Sequence, residues 1–359
     1  MKNIIKILLL INMMLMMCSI SFAKSKVKVP ETVRIKLNDG EIIEIGLDEY
    51  LYGVVSSEMG TSYQTQGKYK QVGIEALKAQ AVASRSYAVY SINHSKYDGY
   101  DLTATTSDQV YKTGEVKDIV KQAVDTTSSQ VMTYDDEVIS AYFFSTSGGH
   151  TESSEDVWYA KLPYARGVKD PYEPYIDGKS EWEIRISADK YGEIKILERS
   201  ENGRVTKLKV GGQVYEKSNI RAKLGNTFLK STWFDLEYDE DTNEYVLIGK
   251  GYGHGVGMSQ YGAMGMAEAG FNYEEILKWY YTDIEIVPEQ VDYIVIDNAE
   301  DDQKYENEKD KEYTIENKEE VDDSIQKADK DFSESKPVVV TKERGPLLKR
   351  LISTIESWR

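Results

Sequence analysis

The sequence predicts an α+β fold: one mixed domain over residues 27–292, with a central Ala-rich helix, a strand-rich middle segment and a cleft, followed by a disordered acidic C-terminal tail. Three observations carry this. The run Ala76-Leu77-Lys78-Ala79-Gln80-Ala81-Val82-Ala83-Ser84-Arg85-Ser86-Tyr87-Ala88 is built of small, helix-compatible residues and reads as a buried central helix. Between residues 182 and 249, short runs of strand character are separated by turn residues. From Glu300 to Ser335, fifteen Asp or Glu stand against six Lys, a local net charge of −9, and few residues there can enter a core.

The elements follow in chain order. Residues 1–23 read as a signal peptide or N-terminal membrane anchor. Lys2 and Lys6 form a positive end, Ile7 to Ile20 is apolar but for an interruption at Asn12, and Ser21-Phe22-Ala23 is a small-x-small cleavage signal. Export to the outer face of the cell membrane or the cell wall is therefore expected. Val33, Ile35 and Leu37 alternate with polar residues as in a half-buried strand. Asn38-Asp39-Gly40 is a hairpin turn, and Glu41 to Leu47 returns. Asp48 caps a short helix that ends near Glu58. Residues 60–70 read as a polar loop, and the central helix spans about Val72 to Ser91. Residues 105–111 form another polar loop. Val116, Ile119, Val120, Ala123 and Val124 make one face of an amphipathic helix. Gln130–Tyr134 and Glu137–Phe144 are expected to form a hairpin turning at Asp135-Asp136. Lys217–Leu224 reads as a short helix among the strands of the middle segment. Glu274–Tyr281 is a further helix and Ile284–Val287 a closing strand. After Pro337, residues 346–358 form a small amphipathic helix whose apolar face includes Leu347, Leu351, Ile355 and Trp358.

Composition removes several classes of function. A net charge of −17 over 359 residues argues against nucleic-acid binding, which needs a basic footprint. Cys18 is the sole cysteine and lies in the N-terminal segment, so the mature chain offers no disulfide, thiol nucleophile or thiolate zinc site. His94, His150 and His254 are far apart in sequence.

Glu58 is the first candidate functional residue. Leu51, Gly53, Val54 and Val55 precede it and Met59 follows. Two readings stand: an ordinary surface Glu at a helix end, or a carboxyl group whose pKa is raised by apolar neighbours, as a general acid requires. Arg85 reads either as one half of a structural ion pair or as a contact to an acidic substrate group. Ser147 and His150 sit in Ser145-Thr146-Ser147-Gly148-Gly149-His150-Thr151, where hydroxyls and close backbone suit a polar ligand. Residues 155–182 hold Trp158, Tyr159, Tyr164, Tyr172, Tyr175 and Trp182, an aromatic segment that either lines a sugar cleft or pins a long loop. In Gly251-Tyr252-Gly253-His254-Gly255-Val256-Gly257-Met258-Ser259-Gln260-Tyr261-Gly262-Ala263, alternate glycines mark a tight strand-to-helix passage. His254 there is a candidate for polar contact with a ligand or with Glu58.

Four motifs in this order resemble the SpoIID/LytB family: Tyr52-Gly53-Val54-Val55-Ser56-Ser57-Glu58-Met59, the Lys78–Tyr87 helix, the Ser-Gly-Gly segment and the Gly-His-Gly segment. The resemblance covers residues 48–290 and implies that 27–292 is a catalytic domain. Members with shown activity are lytic transglycosylases of peptidoglycan, and Glu58 falls on their catalytic glutamate. The resemblance carries over His254 and Gln260 as cleft residues, and the residues expected to contact substrate are Arg85, Ser147, His150, His254, Ser259, Gln260 and Tyr261. Implied partners are glycan strands and the stage II sporulation proteins P and M. Some members hold zinc through cysteines in and after the Gly-Gly segment. Ser147 and Ser153 stand at those places here, so no metal and no other cofactor is expected, and hydroxyl hydrogen bonds would hold the loop. The family also includes amidase enhancers, which leaves a non-catalytic wall-binding module as the alternative.

Overall fold

A computed structural model describes residues 29–288, apart from Ser95, Asn226 and Thr227. The expected targeting segment (1–23), acidic linker (300–335) and C-terminal helix (346–358) lie outside the described residues. The described chain contains helices and strands in an α+β arrangement, as its sequence predicts.

Strands β1 (Thr32–Lys36) and β2 (Ile42–Gly46) form the first hairpin, closed by the Leu37 N–H donating to Glu41 O at 2.7 Å. Val33 and Ile35 point inward and are fully buried. Helix α1 (Leu47–Glu58) follows without a break. Asp48 does not cap it: the N-cap is Gly46, and the Asp48 carboxylate accepts from Arg85 and Ser128 instead. The polar segment expected as a loop is a hairpin, β3 (Ser62–Thr65) and β4 (Lys68–Gln71). It turns at Gln66 and Gly67, both with positive φ, the backbone of a tight hairpin turn.

Helix α2 (Ile74–Asn93) is the central element. Ala76, Ala79, Ala81, Ala83 and Ala88 are fully buried, which lets α1 approach it closely. Three later helices also pack on it: α3 (Asp118–Asp125), α7 (Gln260–Glu268) and α8 (Tyr273–Tyr280). Strand β5 (Leu102–Thr103) adds to β1 in parallel. The hairpin at Asp135-Asp136 is β6 (Val131–Tyr134) with β7 (Glu137–Val138), and its return arm is shorter than the sequence suggests. The chain leaves the pairing, and β8 (Phe143–Phe144) pairs in parallel with β15 (Met258–Ser259). Helix α4 (Ser154–Val157) starts the aromatic segment, and β16 (Glu285–Val287) closes on β6.

The middle segment forms two antiparallel three-stranded sheets. One is β10 (Ile194–Arg199), β11 (Val205–Val210) and β12 (Gln213–Glu216). The other places β14 (Glu244–Lys250) between β13 (Phe234–Asp239) and β9 (Glu181–Ser187). The sequence reads as strands at 182–187, 204–210, 213–216, 232–238 and 244–249, and strand β10 and the short α5 (Ala188–Tyr191) lie between the first two, where it suggests no element. Helix α6 (Ser218–Leu224) stands where it was expected. This segment has its own hydrophobic core, which includes Trp182, Leu208, Ile220, Phe234 and Leu247. The rest of the described residues pack on a separate core around α2, with Leu51, Val54 and Leu77. Each such buried side chain contributes about 1.5–3 kcal/mol.

Candidate active site

Glu58 is the last residue of α1, and its carboxyl group opens on a cleft of about 590 Å³. Val110 N–H donates to Glu58 Oε1 at 2.7 Å, and Gln260 Nε2 donates to Oε2 at 3.2 Å. Gln80 Oε1 accepts from the same Gln260 amide at 3.4 Å, which fixes its orientation. Burial pushes the Glu58 carboxyl above the usual range, while the Val110 and Gln260 donors pull it back down. The group therefore keeps its proton at higher pH than a surface Glu, yet its anion is prepared with two donors. Of the two readings that local sequence leaves open, the structure selects the half-buried carboxyl.

The loop that delivers Val110 is tied by Asp108. Its Oδ2 accepts from Thr103 N (2.9 Å), Thr103 Oγ1 (2.8 Å) and Tyr97 OH (2.9 Å), and its Oδ1 accepts from Tyr87 OH and Lys96 Nζ, each at 3.1 Å. Burial alone would raise this carboxyl. The Thr103, Tyr97 and Lys96 donors outweigh it and hold Asp108 below the ordinary value. Although Asp108 borders the cleft, it is an ionised anchor with both oxygens occupied, which is unsuited to proton exchange.

The glycine-rich passage runs beside the 142–147 segment. Thr146 and Tyr252 exchange backbone hydrogen bonds at 3.0 and 2.8 Å, and Met258 N–H donates to Tyr142 O at 3.1 Å. Gly257 has φ +77, and a Cβ there would sit 2.1 Å from Tyr142 O. Replacing Gly257 with Ala is expected to cost about 2–3 kcal/mol of stability, because backbone must move at a left-handed position. A thermal melt checks this.

The passage leads into α7, where Gln260 reaches Glu58. Ser259 caps the helix: its Oγ accepts from Gly262 N–H (3.1 Å) and donates to Glu173 Oε2 (2.7 Å). Glu173 also receives the backbone N–H groups of Ser147 and Gly148, at 2.5 and 3.0 Å. One carboxylate thus joins the Ser-Gly-Gly turn to the start of α7. Asp170 lies next to it, and burial followed by the Glu173 charge pushes the Asp170 carboxyl well up.

The site residues expected from the sequence are not all brought together. Gln260 and His254 line the cleft with Glu58. His254 does not reach Glu58 through hydrogen bonds. Its Nδ1 accepts from Val256 N–H (3.1 Å), so the proton is on Nε2, which faces Phe143 O at 3.0 Å. Burial, then the Arg221 charge, lower its pKa to about 3. His254 is a neutral ring in an aromatic wall, with centroids 5.2 Å from Trp158 and 5.4 Å from Phe144. Tyr261 meets the cleft at one remove: its hydroxyl accepts from Lys179 Nζ at 3.3 Å, and Lys179 lines the cleft.

Arg85, Ser147, His150 and Ser259 are not among the residues lining the cleft. Arg85 is fully buried and donates to the carbonyls of Val124 (3.3 Å), Thr127 (2.7 Å) and Gln130 (3.3 Å) and to Asp48 (3.1 Å). It is a structural cation at the C-terminal end of α3, where helix carbonyls lack partners. Ser147 and Ser259 are likewise fully buried. His150 Nδ1 lies 2.6 Å from Thr151 O, in a backbone bridge to Lys169. Ser147 Oγ accepts from Gly149 N–H (2.9 Å) and Ser153 Oγ from Gly167 N–H (3.1 Å), so hydroxyls do secure this turn. Among the described residues no group of three or more His, Cys, Asp or Glu side chains is placed to hold a metal ion.

Several cleft residues carry no signal in the sequence: Phe143, Lys179, Lys217 and Arg221. The two basic residues at 217 and 221 come from the second core and face a wall built on the first. Trp158, by contrast, belongs to the aromatic segment that composition marks out.

Fold and site define an α+β cleft protein built on one donor-held carboxyl group. The sequence profile described as Stage II sporulation protein (SpoIID) matches residues 38–134, and one described as Domain of unknown function (DUF8618) matches residues 114–257. Stage II sporulation protein D of Bacillus subtilis is 32% identical over 269 residues, spanning 67% of this chain and 74% of that protein. An uncharacterized protein of Brachyspira hyodysenteriae is 35% identical over 270 residues, 70% of each chain. The amidase enhancer of Bacillus subtilis is 29% identical over 293 residues, 64% of this chain but 39% of its own length. The chain belongs to the SpoIID family.

Proposed function

We propose that this protein is a peptidoglycan lytic transglycosylase acting during sporulation engulfment. The observation that carries the reading is Glu58, a half-buried carboxyl with a raised pKa and a donor at each oxygen, on a cleft with an aromatic wall. In the proposed reaction, protonated Glu58 gives its proton to the glycosidic oxygen leaving C1 of MurNAc, and the C1–O bond breaks. The Glu58 anion, held by Val110 N–H and Gln260 Nε2, then takes the proton of the MurNAc 6-hydroxyl. That oxygen bonds to C1 and closes the 1,6-anhydro ring. One carboxyl group is acid and then base, so no second carboxylate is required, unlike the two-carboxylate hydrolase scheme. The proposal places the protein on the outer face of the membrane or in the wall, working on glycan stripped of stem peptides, with the stage II sporulation proteins P and M as partners.

Digestion of denuded peptidoglycan by the purified protein should yield anhydro-MurNAc ends by mass spectrometry. Unchanged wall binding without those products would leave the wall-binding or amidase-enhancing module instead. The pH dependence gives a second test. Glu58 must start protonated, so turnover is expected to fall as pH rises through its raised pKa. Gln260 stabilises the anion, and its loss in Gln260→Ala should raise that pKa further. The alkaline limb of the kcat profile should therefore move to higher pH. A limb that moves down would count against Glu58 as the acid.

A further inference from the structure

A second, open groove of about 490 Å³ lies beside the Glu58 cleft, and its lining includes Tyr159, Val214, Tyr215, Asn219, Ala222 and Lys223. Helix α6 divides the two: Ser218 and Arg221 line the cleft, while Asn219, Ala222 and Lys223 line the groove. Lys217 joins them. Its Nζ donates to Glu155 O (2.5 Å) and Trp158 O (3.1 Å) and stands 4.9 Å from the centroid of the Tyr159 ring. Trp158 belongs to the cleft and Tyr159 to the groove, so consecutive aromatic residues line the two spaces, with the Lys217 ammonium bonded to the backbone carbonyl of the first and near the ring of the second.

Tyr159 is 69% exposed, unusual for a large aromatic side chain. The Lys217 cation steadies it. Tyr215 is held in the same way, with Lys223 Nζ at 5.2 Å from its ring. A ring fixed before binding loses little side-chain entropy when a ligand stacks on it. The C–H face of a pyranose is such a ligand, and the Asn219, Glu216 and Lys223 side chains supply partners for its hydroxyl and acetamido groups.

We propose that this groove is a distal sugar subsite, which takes rings of the same glycan strand beyond those held in the Glu58 cleft. The inference rests on the glycan reading above. An elongated, hydrated strand suits two open grooves in series, and the continuity through Lys217 lets one strand occupy both. Glycan length then contributes to affinity through a surface that takes no part in bond cleavage.

The test uses the mature chain with Glu58→Gln, so that probes are bound without being cut, and titration calorimetry with chito-oligosaccharides of four and eight sugars. The eight-sugar probe is expected to bind about fivefold tighter than the four-sugar probe, the scale of one aromatic stacking contact. Adding Tyr159→Ala, or filling the groove with Ala222→Trp at an exposed helix position, should remove that advantage and leave four-sugar affinity unchanged. Tyr159→Phe should retain it. An eight-sugar advantage that survives both Tyr159→Ala and Ala222→Trp overturns the distal subsite while leaving the glycan reading intact. Equal affinity of the parent protein for the two probes likewise overturns the distal subsite alone, and failure of both probes to bind it overturns both readings.

Discussion

Glu58→Gln is expected to lower glycan cleavage about a thousandfold, within the range set by loss of a general acid–base group. Gln is close in shape and keeps an oxygen for Val110 N–H, while its amide nitrogen replaces the acceptor of Gln260 Nε2, so the Gln260 amide must turn; the loss reports proton transfer where the melt shows the fold intact. The same substitution is expected to raise the melting temperature at neutral pH. Burial raises the folded-state pKa of Glu58. The contribution of this one carboxyl to stability is thus fully present below the unfolded pKa of about 4.3 and is lost as pH rises through the folded value. A neutral amide escapes that loss. Melts of the two proteins should converge at low pH and separate as pH rises. A Glu58→Gln protein with full activity would remove Glu58 from the chemistry. One inactive but equally stable at every pH would deny the desolvation of its carboxyl.

Arg85→Ala is expected to destabilise the protein by about 3–5 kcal/mol, the scale of stripping one partner from a buried charged cluster. The Val124, Thr127 and Gln130 carbonyls would lose their donor, and a cavity would open beside α3. Asp48 contributes less to this sum, because its side chain is 42% exposed and water screens the pair. The melting temperature should fall by about 10 °C. At a temperature where the variant stays folded, KM for glycan should match that of the parent. A raised KM without loss of stability would restore Arg85 to the substrate contacts.

The parts of the fold legible in the sequence are those set by local chemistry. Asn38-Asp39-Gly40 requires a turn wherever it lies, and Gly40 has φ +93. The alanines of α2 announce close packing because little else can be built from them. The hairpin at 62–71 escaped because its strands are short and mostly exposed, and Gln66 occupies a left-handed position more often taken by Asn or Gly. Glu58 was legible as a candidate, but its state was not. Its desolvation and the Val110 donor, 52 residues away, exist only after folding. Arg85, Ser147 and Ser259 show the converse: their motifs mark positions that shape the site from behind. Glu173, which ties two of those motifs together, has no distinguishing neighbours in sequence.

The two hydrophobic cores have a consequence for how such a protein can diverge. Glu58, Val110 and Gln260 rest on the core around α2, whereas Lys217, Ser218 and Arg221 rest on the other. Substitutions deep in either core, such as at Leu51 or Leu208, are far enough from the other to combine nearly additively, whereas Lys217 and Arg221 couple the two walls through Trp158 O and His254. Each core can therefore be repacked by itself, while any change at the two basic side chains that bridge them is felt on both sides of the cleft.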